Sequence, residues 1–143
     1  MTDWRGCCNA EIPLILSKKI LAPFNQLLLR ADGVVNRTLR ALPPPLREPA
    51  SAVPVVFQQV PDPAAVADGI EEDTLGLFVG PAHGEEPGLD PLPSQILIFL
   101  DNIWDYVEGD EAAFEEEVRV TYLHELGHYL GLGEGDLEAR GLD

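Results

Sequence analysis

Apolar residues recur at three- and four-residue spacings between residues 22 and 42, with three arginines among them. This period matches a helical turn, so it predicts an amphipathic α-helix, weakened at Gly33. Three consecutive prolines follow at 43–45, and because they remove backbone donors we expect the helix to stop there. Residues 1–20 show no sustained period and are interpreted as a loosely ordered N-terminal extension.

Three short apolar segments follow, of which the first is closed by Pro61 and the second by Gly80 and Pro81. Residues 53–60, 75–80 and 95–100 are rich in β-branched and other large apolar side chains, so they predict three β-strands. A short polar helix or turn is expected between the first two, and residues 81–93 are expected to form a loop. The sequence QILIFL at 95–100 gives the strongest strand prediction.

The last helix is predicted to begin after Asp110, an N-capping residue followed by four glutamates within two turns. Two stripes run along it. The apolar stripe, suited to packing on the sheet, consists of Val120, Leu123, Leu126 and Leu130. The other stripe, suited to facing a cleft, consists of Glu117, Thr121, His124 and His128. The elements together predict an α+β domain: an N-terminal helix, a mixed sheet of about three strands and this C-terminal helix.

The length of 143 residues predicts a single domain, taken as residues 21–143. Apolar runs fall far short of the roughly 20 residues that cross a bilayer, so no membrane association is expected. The N-terminus is too weakly apolar for a secretory signal, which favours a cytoplasmic location. The adjacent Cys7 and Cys8 imply no disulfide framework.

The net charge of −16 is concentrated in the second part of the chain. Residues 1–61 carry 7 basic and 4 acidic side chains, a net charge of +3, whereas residues 62–143 carry 2 basic and 21 acidic ones, a net charge of −19. An acidic surface repels phosphate backbones, so nucleic acid is not expected as a partner. Basic or neutral peptides suit it better, although acidic surfaces more often serve solubility.

The residues best suited to bind a metal ion and to transfer a proton lie in the motif HELGH at 124–128. His124 and His128 are one helical turn apart, so both imidazoles can reach one metal ion. Glu125 beside them can take a proton from a metal-bound water. With only 3 His in the chain, the chance expectation of HExxH is about 0.006. The motif therefore predicts a hydrolytic metal site, and the alternative is two histidines on a solvated helix face.

Catalytic zinc normally takes three protein ligands and keeps one position for water, so a third donor is required. Gly131 can adopt the left-handed conformation that ends a helix and reverses the chain. The glycine-rich residues that follow can then fold Glu134 back towards the metal, which makes it the favoured third ligand. Asp136 and His83 remain alternatives.

The sequence HELGHYLGLGE resembles the zincin metallopeptidase signature, and its spacing HExxHxxGxx(H/D/E) is similar to that of the metzincins. The order of elements over residues 24–142 resembles the small bacterial minimal-zincin family, formerly a domain of unknown function. The resemblance implies a small zincin-like fold, one Zn²⁺ ion and an acidic third ligand at position 134. That ligand is most often Asp in the family, whereas this chain has Glu134. Asp136 is therefore kept as an alternative third ligand. The metzincin Met-turn is missing, because the only methionine is Met1.

Zincins bind substrate by adding its backbone to an edge strand before the active-site helix. QILIFL at 95–100 is the candidate for this edge, and the alternative is that this apolar segment is a buried central strand. The sequence thus predicts a monomeric zinc metallopeptidase that acts on a peptide or protein, with Glu125 as general base. The alternative function is a non-proteolytic or latent metal-binding module of the same fold.

The third ligand can be tested by metal analysis of purified variants. We expect Glu134→Ala to lose bound zinc, because it removes one of three protein ligands, and Asp136→Ala to retain it. The opposite result would identify Asp136 as the ligand. Retention of zinc by both variants would point to His83 or to a site with two histidines.

Overall fold

A computed structural model of the chain describes residues 23–84 and 93–132, so the predictions for residues 1–20 and for Cys7, Cys8, Glu134 and Asp136 lie outside the described residues. The predicted α+β class is confirmed. The elements follow in the order α1 (Phe24–Ala41), α2 (Pro44–Ala52), β1 (Val55–Gln58), α3 (Pro63–Ala67), β2 (Gly76–Val79), β3 (Gln95–Phe99), α4 (Leu100–Tyr106) and α5 (Glu111–Tyr129).

The three strands form one mixed sheet in the order β1-β3-β2. β3 pairs with β1 in parallel and with β2 in antiparallel orientation. Both sides of β3 are paired, so residues 95–100 do not provide the substrate-binding edge, and the alternative prediction of a buried central strand is confirmed. The physical reason lies in its apolar sequence: Ile96 and Ile98 are fully buried, as in a central strand. The edges of the sheet are β1 and β2.

α5 packs on β2 and β3, while α1 and α4 pack against α5. The predicted apolar stripe is correct at Leu123 and Leu126, which are buried, but Val120 is only half-buried. The core side of the helix runs instead through Phe114, Val118, Tyr122, Leu123, Leu126 and Tyr129. Thr121, predicted to face a cleft, is only 6% exposed.

The helix α2 was not predicted from the sequence. The prolines at 43–45 end α1 as expected, with Leu42 as its C-cap, but they also start the next helix. Proline is tolerated in the first turn because the first N–H groups of a helix have no intrahelical partner. The same prolines therefore end α1 and begin α2.

Ion pairs tie α1 to α5 at the surface. Arg30 lies 2.9 Å from the carboxylate of Glu115 and 3.1 Å from that of Glu111, and Arg37 lies 3.6 Å from Glu115. These side chains are well exposed, so each pair contributes about 0–1 kcal/mol and the buried apolar contacts dominate. Among the residues that the structure describes, no helix is both long and apolar enough to cross a membrane.

The N-cap of α5 is a testable contribution to the stability of the helix that carries HELGH. The Asp110 carboxylate accepts a hydrogen bond of 2.9 Å from the backbone N–H of Ala113. We expect Asp110→Ala to lower the free energy of unfolding by about 1 kcal/mol, measured by urea denaturation. Asp110→Asn keeps an acceptor and should lose much less. Equal losses in both variants would show that the negative charge, rather than the hydrogen bond, stabilises the helix.

Candidate metal centre

The two histidines of HELGH converge on one point beside α5. Their Nε2 atoms are 3.2 Å apart, and the rings meet edge to face with centroids 4.7 Å apart at 81°. Two nitrogens bound to one tetrahedral zinc ion are separated by about 3.3 Å, given zinc–nitrogen bonds of about 2.05 Å. The separation of His124 and His128 therefore already fits a shared zinc ion.

A carboxylate completes the convergent group. Three potential ligand atoms, one each from His124, Glu125 and His128, lie within 4.8 Å of one another. Among the described residues, this is the one group of three side chains found that could hold a metal ion. His124 and Glu125 are half-buried and His128 is exposed. The group can therefore hold a metal ion on a surface that a substrate can reach, while one side of it is shielded from water.

Two opposing influences act on Glu125. Burial is the larger and raises the pKa of its carboxyl group above the ordinary value, while His124, His128 and a hydrogen bond from the backbone N–H of Phe78 lower that pKa. A general base works best when its pKa lies closer to neutrality than that of an exposed carboxylate. The half-buried position of Glu125 moves its pKa in this direction.

The Phe78 N–H comes from the free edge of β2. The backbone N–H of Phe99 bonds to the carbonyl of Leu75, so in this antiparallel pair residues 75, 77 and 79 face β3. The backbone groups of Gly76 and Phe78 consequently point away from the sheet. The edge beside Glu125 is thus β2 and not β3.

This contribution of β2 was not predicted from the sequence. A backbone N–H leaves no trace in a side-chain pattern, so Phe78 could not have been identified. Gly76 did carry a signal, because an isolated glycine inside a strand often marks a close backbone approach.

α5 ends immediately after the second histidine. Gly131 has a φ of +75°. Its N–H bonds to the carbonyl of His128 at 3.1 Å, and the N–H of Leu132 bonds to that of Gly127 at 2.9 Å. These two bonds form a Schellman motif, in which a glycine at this position reverses the chain. Glu134 and Asp136 follow outside the described residues, and their roles as ligands stay predictions.

His83 is near the end of α5 but is not part of the convergent group. Its backbone N–H donates to the carbonyl of Tyr129 at 2.7 Å, and its ring lies 5.7 Å from the Tyr129 ring. The side chain is exposed, and its nitrogens do not belong to the group formed by the HELGH motif. The backbone N–H of His83 thus fixes the loop after β2 to the end of the helix.

A helix with two convergent histidines, an adjacent carboxylate and a neighbouring antiparallel edge strand defines the zincin class of metal sites. A sequence profile of zincin-like metallopeptidases matches residues 50–142, and the chain belongs to this family. A comparison with curated proteins found no match.

The separation of His83 from the group gives a test of zinc binding. We expect His83→Ala to retain bound zinc, while His128→Ala loses it, because only the latter removes an imidazole that converges with His124. The measurement is zinc content of purified protein after dialysis. Loss of zinc from both variants, with the fold intact by circular dichroism, would return His83 to the candidate ligands.

Proposed function

We propose that the chain is a zinc-dependent metallopeptidase that hydrolyses peptide bonds, with Glu125 as the general base. The observation that supports the proposal is the 3.2 Å separation of the histidine Nε2 atoms, with the Glu125 carboxylate beside them. His124 and His128 would hold one Zn²⁺ ion. Glu134 is the proposed third ligand, with Asp136 as its alternative.

Bound zinc supplies a Lewis acid that lowers the pKa of water to about 7 and polarises a carbonyl group. Glu125 takes the proton from the attacking water at its carboxylate and later passes it to the leaving amine. The backbone N–H of Phe78 beside it favours the charged form of the Glu125 carboxylate. Partial burial of Glu125 keeps its pKa raised and so favours its role in proton transfer.

We propose a peptide or protein as substrate. Apart from the Phe78 N–H, which the Glu125 carboxylate takes up, the outward backbone groups of β2 offer an edge along which an extended peptide can align. The acidic charge of residues 62–143 favours basic or neutral peptides over nucleic acid. A cytoplasmic monomer remains the expectation from the sequence.

The role of Glu125 is tested by separating metal binding from turnover. We expect Glu125→Ala to lower kcat by at least about 100-fold, because proton transfer by a positioned base contributes about 10²–10⁴-fold. Zinc content should stay at the wild-type level, since both histidines remain. The measurement is cleavage of a peptide library by zinc-loaded protein, read by mass spectrometry.

Glu116→Gln is the matched control for this experiment. Glu116 lies on the same helix, is exposed and bonds to Arg119, so its neutral variant should keep wild-type turnover. Retained turnover in Glu125→Ala would overturn the mechanism. Failure of the zinc-loaded wild type to cleave any peptide would favour a non-proteolytic metal-binding module.

A further inference from the structure

β2 lies along α5 for two turns of the helix, and Glu125 is at the middle of the contact. At one end Gly76 packs against Thr121, and at the other the Phe78 ring packs edge to face on Tyr129, with centroids 5.7 Å apart. Between them the backbone N–H of Phe78 is placed as a donor beside the Glu125 carboxylate and lowers the pKa of that group. The spacing of β2 and α5 therefore determines whether this hydrogen bond forms.

Gly76 permits the close approach. A Cβ atom at position 76 would lie under 3.0 Å from Cγ2 of Thr121, which real Cβ atoms do not show, and 3.4 Å from Cγ of Glu125. On the opposite side it would lie 3.3 Å from the carbonyl oxygen of Leu97 in β3. Any side chain at position 76 therefore requires the strand or the helix to move.

The side chain of Thr121 cannot easily move away from such a Cβ atom. Its side chain is buried, and a β-branched residue in a helix has few allowed rotamers. Its Oγ1 also donates to the carboxylate of Glu117, at 3.4 Å. The opposite side of α5 is packed into the core, so the helix cannot move away from β2. A side chain at position 76 would therefore displace the strand β2.

We infer that Gly76 is a positioning residue for the general base: by lacking a side chain it brings β2 so close to Thr121 that the Phe78 N–H holds the Glu125 carboxylate. The catalytic consequence rests on the proposed function, whereas the positioning itself does not. Bonds from an N–H to a carboxylate are among the stronger hydrogen bonds, and they weaken steeply with distance. A small outward shift of β2 would therefore release Glu125.

The test compares Gly76→Ala, Thr121→Ser and the double variant. Gly76→Ala should lower kcat about 10–100-fold, the loss expected for a misplacement near 1 Å, with a smaller change in KM and unchanged zinc content. Thr121→Ser removes the obstructing methyl group and keeps the hydroxyl. The double variant should therefore recover kcat close to that of Thr121→Ser alone. Gly33→Ala in α1 is the matched glycine control and should keep wild-type kcat.

A second readout is independent of activity. In ¹⁵N-labelled protein as purified, the Phe78 amide proton should resonate downfield and move on Glu125→Gln, since its acceptor loses the charge. In Gly76→Ala this resonance should lie upfield, and in the double variant it should return. If the wild type cleaves no peptide, the proposed function fails, but the amide resonance still decides the positioning.

Two outcomes would overturn the inference. One is a folded Gly76→Ala protein with wild-type kcat and an unmoved Phe78 resonance. The other is a double variant that is unfolded or does not recover the resonance. If Gly76→Ala alone does not fold, the double variant carries the test, because steric relief at Thr121 must restore both the fold and the resonance.

Discussion

The contact between β2 and α5 is the constraint on which the site depends. α5 supplies both histidines and Glu125, but a helix alone cannot fix the direction of a glutamate side chain, which has three rotatable torsions. The edge strand β2 lies against this side chain, where the backbone N–H of Phe78 favours the charged carboxylate, and the missing side chain at Gly76 leaves room for this close approach. The geometry of the base is therefore set by tertiary packing.

α5 contributes more buried residues than any other described helix, and it also carries the site. One side of it fills the core through Phe114, Val118 and Leu126, and the other presents an exposed His128 only two positions later in sequence. A half-buried carboxylate with a raised pKa costs folding free energy when it is charged. The core contacts of the same helix offset that cost, so stability and function depend on one element.

Much of this arrangement could be predicted from the sequence, because it follows from local periodicity. The three strands, the first and last helices and the convergence of His124 with His128 all reflect spacing along the chain. The order of the strands could not be predicted, since it depends on pairing between distant segments, and the sequence therefore left QILIFL as either an edge strand or a central strand. Thr121 was likewise assigned to an open stripe, because its burial under β2 is a tertiary contact.

The family match begins at residue 50, whereas α1 spans Phe24–Ala41. α1 nevertheless buries Leu27, Ala31, Val34 and Val35 in the same core as the helix with the histidines. A recombinant fragment limited to the matched region would leave this flank of α5 in water and would be prone to aggregate. The segment that the family profile matches is thus smaller than the set of elements that share this core, and α1 is part of that set.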